Sequence, residues 1–192
     1  VQNLNIPKVI IAAREIAEID PYLNVKVFPE GLRPTNMDEF FSGEGNLDLF
    51  IEVCDGLDIK ILSRNKAKQL KIPVVMDTND RGMLDVERFD LEPERSILHG
   101  KIDSYLDAFD SNPKDEALRK HILMALVSFD SLSERMKYSM QEIGKSITTW
   151  PQLASSVVLG GAITADISRR ILLNEHSASG RYYVDLDEIF NK

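Results

Sequence analysis

An α/β fold is predicted for this chain: a mainly parallel sheet with flanking helices, followed by a helical region and a closing strand. Three observations predict it. Two short apolar runs, LDLFIEVC at 47–54 and IPVVM at 72–76, have the length and composition of strands buried on both faces. A helix-phased stretch lies between them, which gives the strand–helix–strand alternation of a parallel α/β sheet. Beyond about residue 95 only helical periodicities remain until GRYYVDL at 180–186. The chain therefore divides at the sequence level into an α/β region, 1–94, and a helical region, 95–192, which is either part of the same domain or an appended dimerisation part.

Each element has its own signal. Val9, Ala12, Ala13, Ile16 and Ile19 fall at helical spacing over 7–20. Pro7 suits the first turn of that helix, where a missing N–H costs nothing. Asp20-Pro21 stops it, because the residue before proline avoids helical angles. Residues 24–28 read as a short strand. Residues 35–42 read as a short helix with Thr35 or Asn36 as cap and Asp38 and Glu39 in its first turn. Gly43-Glu44-Gly45-Asn46 is a turn. After the 47–54 strand, residues 58–70 form a helix with Ile59, Leu62, Ala67 and Leu70 on its apolar side and a basic exposed side. A third, more exposed strand is expected at 83–89. Asn112-Pro113 caps a helix whose Leu118, Ile122, Ala125 and Leu126 follow the i, i+4, i+7, i+8 pattern. Further helices are expected at 132–143 and from Trp150-Pro151 to about Leu173. Gly160-Gly161 in the last of these marks either close packing or a break. The stretch 110–113 reads as a loop.

Composition narrows the function. The chain has 192 residues, 43% of them hydrophobic and 28% charged, which is ordinary for a globular domain. Acidic residues outnumber basic ones 31 to 23, a net charge of −8. That balance argues against a general nucleic-acid binder, which needs Lys and Arg to neutralise phosphates. The lone cysteine, Cys54, excludes an internal disulfide and a multi-cysteine zinc site and fits a cytoplasmic location. Its expected role is a small buried thiol. His99, His121 and His176 show no metal-ligand spacing. The most apolar stretch, 153–163, is too short for a membrane span, which needs roughly 20 apolar residues, so no membrane partner is expected. No signal peptide is visible, and the start at Val1 rather than Met suggests a fragment or excised domain.

Ligands of open parallel sheets bind beyond the carboxyl ends of strands. Asp55 stands at one such end, beside Gly56. It could hold Mg²⁺, which takes one or two protein carboxylates plus phosphates; alternatively, Asp55 and Asp58 cap the following helix. Lys8, in the first turn of its helix, could face an anion or simply be solvated. Asp77, Asp80, Arg81 and Asp85 form a charged cluster that reads as a solvated loop or as a substrate-entry or crossover segment. Met124, Met136 and Met140 on the later helices read as core or dimer contacts, or as a partner groove.

The segment PKVIIAAREIAEIDPYLNVKV resembles the stretch "xKVxxAxxxLxxINPxxxV" of the ThiF/MoeB superfamily, which includes the activating enzymes of ubiquitin-like proteins. LDLFIEVCDGLDIKILSRNKAKQLKIPVVM resembles that family's "xDLVxDCTDNxxxRxxxNxxCxxxxxPLV", without a gap from Asp48 to Lys60. Residues 152–173 and 180–186 resemble its closing small-residue helix and final strand. The resemblance implies a partial Rossmann-like sheet and an ATP-dependent adenylyltransferase that activates a carboxylate, commonly the C terminus of a small sulfur-carrier or ubiquitin-like protein. It implies ATP and Mg²⁺ as cofactors and a homodimer as the assembly. Lys8 matches the lysine that contacts ATP phosphates. Asp55 matches the aspartate that holds Mg²⁺. Phe28, Glu30 and Gly31 follow the strand where the family packs adenine. Lys60 falls on the family's arginine and would add positive charge, and Pro73 falls on its proline.

The chain departs from that pattern in five ways, one being that the family's Arg-containing segment before the lysine is missing. It contains no GxGxxG loop, whose glycines let backbone N–H groups approach phosphates. Gly56 stands where the family has Asn. Paired CxxC motifs are absent, and so is a downstream catalytic cysteine. These departures leave an alternative: a non-catalytic interaction and dimerisation module that keeps the fold without the activity. On either reading the isolated chain is expected to be inactive.

Overall fold

The computed structural model describes residues 2–149 and 151–190. Helix α1 spans Lys8–Ile19, with Pro7 at its N-cap position. Asp20 ends it: its N–H donates to the Ile16 carbonyl at 2.8 Å, and its carboxylate accepts the Tyr22 N–H at 3.0 Å. No side chain of α1 is buried. The expected strand at 24–28 does not form. Those residues belong to no strand, and Phe28 instead packs edge-on against Phe40, 5.4 Å between centroids. Phe40 lies in helix α2, Met37–Ser42, whose Met37 and Phe41 enter the core.

The run at 47–54 is only in part what its composition suggests. Strand β1 is Phe50–Ile51. Phe50 and Glu52 donate to the Pro73 and Val75 carbonyls at 2.9 and 2.8 Å and are buried. Ile51 and Val53, on the opposite face, are 45% and 59% exposed. The strand is therefore an edge strand covered on one face, not a strand buried on both. Helix α3, Leu57–Gln69, returns to β2, Val74–Thr78, which pairs parallel with β1.

The sheet then changes character. Strand β3, Met83–Glu87, pairs antiparallel with β2 in register from Val74↔Glu87 to Thr78↔Met83. Strand β4, Gly180–Tyr183, pairs antiparallel with β3. The order is β1-β2-β3-β4, so the sheet is open and mixed, with one parallel pair and two antiparallel ones. The expectation of a mainly parallel sheet is corrected by the short link from β2 to β3. A parallel return needs a crossover of about a dozen residues or more, and residues 79–82 can close only a hairpin. Arg81 and Gly82 both have positive φ there. A side chain at Gly82 would strike the Val184 carbonyl as well. Expected to be more exposed, β3 is buried along its whole length, because the helix carrying Ile167 and Ile171 covers the face of Leu84 and Val86 and α3 covers the face of Asp85 and Glu87.

The second half is helical, as expected, with two helices the sequence did not announce, at 103–111 and 186–190. A 3-10 turn at Ile97–Gly100 leads into α4, Asp103–Ser111, so the first two residues of the expected 110–113 loop are helical and only Asn112 and Pro113 leave the helix. Helix α5, Glu116–Val127, is capped by Asp115, which accepts the Leu118 N–H at 3.0 Å, rather than by Asn112. Ser133 caps α6, Glu134–Glu142. Helix α7 is Ala154–Leu172. The expected opening at Trp150 lies outside the described residues. Helix α8, Leu186–Phe190, follows β4 and takes the last residue of the expected closing strand. Among the described residues no helix is long and apolar enough to cross a membrane.

Alternation along the strands sends side chains to two faces. Val75, Leu84 and Val86 meet Ile167 and Ile171 of α7. Phe50 and Val74 face a larger cluster with Leu57, Ile61 and Ala67 of α3, Phe109 of α4, and Ile122 and Leu126 of α5. Residues from both halves of the chain thus share one sheet and the two apolar clusters on its faces.

Gly160-Gly161 is not a break. The two glycines sit in continuous helix with different surroundings. A Cβ at Gly160 would run into the Asp77 carboxylate, whereas one at Gly161 would meet nothing within 4 Å. Gly161→Ala is therefore expected to raise unfolding stability by about 1 kcal/mol, the helix-propensity difference. Gly160→Ala is expected to fall below Gly161→Ala, because Asp77 must be displaced. Urea denaturation of the two variants checks this; equal stabilisation would show that α7 does not press on β2 at Gly160.

Candidate functional site

On the α3 side of the sheet a lattice of charges is set into the apolar core. Asp85 and Glu87 stand two residues apart on β3 and so point to the same face. Asp85 lies directly opposite Met76 on β2 and Arg181 on β4. Arg64 of α3, with no solvent exposure, reaches all three carboxylates of the lattice: Nε lies 3.3 Å from Glu52 Oε2, and Nη1 lies 3.5 Å from Asp85 Oδ1 and in close contact with Glu87 Oε2. One turn earlier on α3, Lys60 Nζ holds both oxygens of Glu52, at 2.9 and 2.7 Å, and touches Met76 Sδ at 3.4 Å. Arg181 Nε donates to Asp85 Oδ2 at 2.6 Å. The 97–100 turn completes the set. Leu98 and His99 both take positive φ, and His99 donates its N–H to Glu87 at 3.1 Å. His99 Nε2 is 3.0 Å from Asp85 Oδ2, within ion-pair range but without hydrogen-bond alignment.

The environment separates these acids. Burial opposes ionisation of Glu52, but Lys60 and Arg64 outweigh it and hold the carboxyl below its ordinary range. Burial also opposes ionisation of Asp85, and His99, Arg64 and Arg181 outweigh it by more, so that Asp85 lies well below the carboxylate range. At Glu87 burial prevails over Arg64, the Asp85 charge adds to it, and the pKa rises. Such divergence is often a mark of acid–base chemistry. Here the groups are shut inside the core, and neither of the two cavities described next is lined by any of them.

The first cavity, about 200 Å³, lies at the carboxyl end of β2, between the 79–82 turn and the starts of α6 and α7. The charged cluster read as a solvated loop or entry segment is divided here. Asp80 accepts the Ser133 N–H at 2.9 Å and its hydroxyl at 2.5 Å, which ties the hairpin to α6. Arg81 bonds Asp185 at 2.6 Å, the Ser131 carbonyl at 2.9 Å, and Glu188. Asp77 is half-buried and its pKa is raised by that burial. Asp85 belongs to the lattice. The second cavity, about 290 Å³, is lined by Phe28 and Phe40 together with Lys26, Glu39, Glu44 and Asp48. Lys26 bridges Glu39 and Glu44 at 3.2 and 3.3 Å.

The residues singled out in the sequence are dispersed. Lys8 and Asp55 are both exposed, and among the described residues no hydrogen bond or ion pair joins them. Phe28 forms one wall of the second cavity. Glu30 pairs with Arg33 at 2.9 Å, and the Gly31 N–H closes a turn on the Phe28 carbonyl at 2.9 Å; neither lines that cavity. Lys60 is not a free cation at all, since its ammonium is buried against Glu52. Asp58 does not cap α3 with its side chain but binds Arg119 at 2.9 Å. Asp55 suits a Mg²⁺ ligand as a single exposed carboxylate. A triphosphate does not fit the second cavity, where three of the four charged residues are acidic. Among the described residues no group of three or more His, Cys, Asp or Glu could hold a metal ion. Sequence reasoning missed Glu52, Arg64, Glu87 and Arg181. The available signal was the i, i+2 pair of acids inside an otherwise apolar strand.

Cys54 is half-buried beside Glu52, whose Oε1 accepts the Cys54 N–H at 2.9 Å. Burial first, and then the neighbouring carboxylate, pushes its thiol up to about 12.

Compared with known proteins, the chain is 42% identical over 193 residues to uncharacterized protein MT1398 of Mycobacterium tuberculosis (strain CDC 1551 / Oshkosh). The match covers 99% of this chain and 26% of that protein, so the chain spans about a quarter of the length of the relative. No family model matches the chain. No solved structure matches it.

Two outcomes are expected from this geometry. Arg64→Met leaves three carboxylates without their shared cation and should cost about 3–5 kcal/mol, the range for breaking a buried pair by removing one partner. Chemical denaturation measures it, and a loss below about 1 kcal/mol would refute the shared role. Cys54 in the folded chain should react with iodoacetamide at pH 8 at least about a hundredfold more slowly than a free thiol, because the thiolate is the nucleophile. Unfolding in urea should restore the rate.

Proposed function

We propose that this chain is part of a ThiF/MoeB-like unit with a partial Rossmann-like sheet, in a longer cytoplasmic protein that transfers an adenylyl group from ATP to a carboxylate. The observation that carries the reading is the place of Asp55. It stands exposed just beyond the carboxyl end of β1, in the one parallel pair of the sheet, at the start of α3. That is where open α/β sheets bind ligands. A Mg²⁺ held there would supply charge neutralisation for phosphates. Phe28, a wall of the second cavity, supports a stacking surface. Lys8 stays available to an anion, whereas Lys60 is withdrawn from the phosphate role. The phosphate-binding groups are therefore assigned to other parts of the longer protein. A small sulfur-carrier or ubiquitin-like protein is the proposed carboxylate donor.

A second reading is favoured by a separate observation. Helix α1 buries none of its side chains, although isolated helices shorter than about 12–15 residues are marginal in water. Tyr22 beyond it is 94% exposed, and Ile51 and Val53 lie open at the sheet edge. These surfaces suit a module that docks against other polypeptide, including a second copy of itself as a homodimer, without any chemistry of its own.

ATP–pyrophosphate exchange separates the two. The 192-residue chain alone should give background. The longer protein should exchange, and Asp55→Ala should abolish it, since loss of a metal ligand removes several kcal/mol of transition-state stabilisation. A rate within about twofold of the unsubstituted protein would overturn the Asp55 assignment. No exchange by the longer protein with any offered carboxylate would favour the docking module.

A further inference from the structure

We propose that Lys101, Ser128 and Arg181 form a binding site for a small oxyanion of the phosphate class. The three come from separate elements: Lys101 follows the 97–100 turn, Ser128 follows α5, and Arg181 lies on β4. Lys101 Nζ donates to Ser128 Oγ at 2.8 Å, and Arg181 Nη1 approaches the same oxygen at 3.4 Å. Two cations thus converge on one neutral hydroxyl. A serine oxygen has two lone pairs and one proton. With both lone pairs turned toward cations, its O–H is left to donate outward, toward an acceptor.

The charge balance points the same way. Arg181 has one carboxylate partner, Asp85, and Asp85 is already shared with Arg64 and His99. Among the described residues Lys101 forms no ion pair with any carboxylate. Arg181 Nη1 also holds the Leu126 carbonyl at 2.6 Å, but its Nη2 is buried and has no acceptor. Burial first, and then the charge of Arg181, lower the Lys101 pKa against the opposing pull of Asp85, so Arg181 adds to the cost of the Lys101 charge. An oxyanion supplies a counter-charge to Lys101, an acceptor for the Ser128 hydroxyl and further negative charge beside Arg181. Its oxygens accept from Lys101 and from the Ser128 hydroxyl, while Arg181 supplies positive charge from beneath. Lys101 is exposed and Ser128 half-buried, so the ligand approaches from solvent. In a chain of net charge −8 a local positive site of this kind is selective for anions over the rest of the surface. This site stands apart from Asp55 and does not depend on the adenylyl-transfer reading.

The test is isothermal titration calorimetry of the 192-residue chain with inorganic phosphate, at ionic strength held constant with chloride. Saturable binding to one site is expected. Lys101→Met should weaken it at least tenfold, as loss of a charge-assisted hydrogen bond does, and Ser128→Ala should weaken it by a smaller factor. Lys145→Met, at another exposed lysine, should leave it unchanged. Arg181 is left intact because it also holds Asp85. A parallel titration with a phosphomonoester distinguishes the source. If it binds too, the ligand is a terminal phosphoryl group; if inorganic phosphate alone binds, the ligand is the free ion. The absence of saturable phosphate binding overturns the proposal, and so does an equal effect of the Lys101 and Lys145 substitutions.

Discussion

A guanidinium without solvent exposure sets the terms for much of this molecule. Removing Arg64 from water costs several kcal/mol, and only close, well-placed carboxylates offset that cost. Its partners come from the end of β1 and from two positions of β3. Each contact therefore fixes a piece of backbone. Helix α3 must turn Lys60 and Arg64 inward together, one helical turn apart. Strand β3 must present Asp85 and Glu87, and not Leu84 and Val86, to that helix. The 97–100 turn must adopt left-handed angles at Leu98 and His99 so that His99 meets both acids. Arg181 on β4 closes the far side.

The lattice acts on register more than on total stability. A buried ionic group replaced by well-packed apolar residues is often neutral or stabilising. What apolar residues cannot do is penalise the wrong alignment. A one-residue slip of β3 would turn Asp85 and Glu87 toward Ile167 and Ile171 of α7 and leave Arg64 facing Leu84 and Val86. Both errors strand charge in an apolar setting. The two faces of β3 thus specify each other: charge against α3, methyl groups against α7. That division lets one strand be buried on both sides and still carry two acids.

The legible parts of the fold were those with local causes. Helix α1 follows from its apolar spacing, Pro7 and Asp20-Pro21. Helices α3, α5, α6 and α7 follow from periodicity, and β2 from a short apolar run. Helix α4 was missed because Tyr105, Leu106 and Phe109 give too few turns of pattern. The mixed sheet was legible by counting, since the gap between the apolar runs around Met76 and Met83 cannot hold a crossover. The stretch at 24–28 has strand composition but no partner strand, and pairing is a tertiary property. The lattice was hidden for the same reason. Residues 83–87 read as a partly exposed strand because charge ordinarily means solvent, and nothing local tells that Arg64, about twenty residues upstream, will neutralise it.

Lys60 shows where a sequence match stops carrying a role. On the proposed ThiF/MoeB reading it would supply positive charge, and the backbone around it runs β1–α3–β2. Its side chain nonetheless turns inward, because Glu52 occupies the inward phase at the end of β1 and would otherwise be a buried carboxylate served by Arg64 alone. The pair is decided by Glu52 as much as by Lys60. Asp55 is the converse case. Three residues beyond Glu52 the chain has left the ladder, no cation among the described residues pairs with the carboxylate, and it is exposed to solvent. Within this short stretch the same strand end thus buries one acid and exposes another, and only the exposed one is within reach of a ligand from solvent.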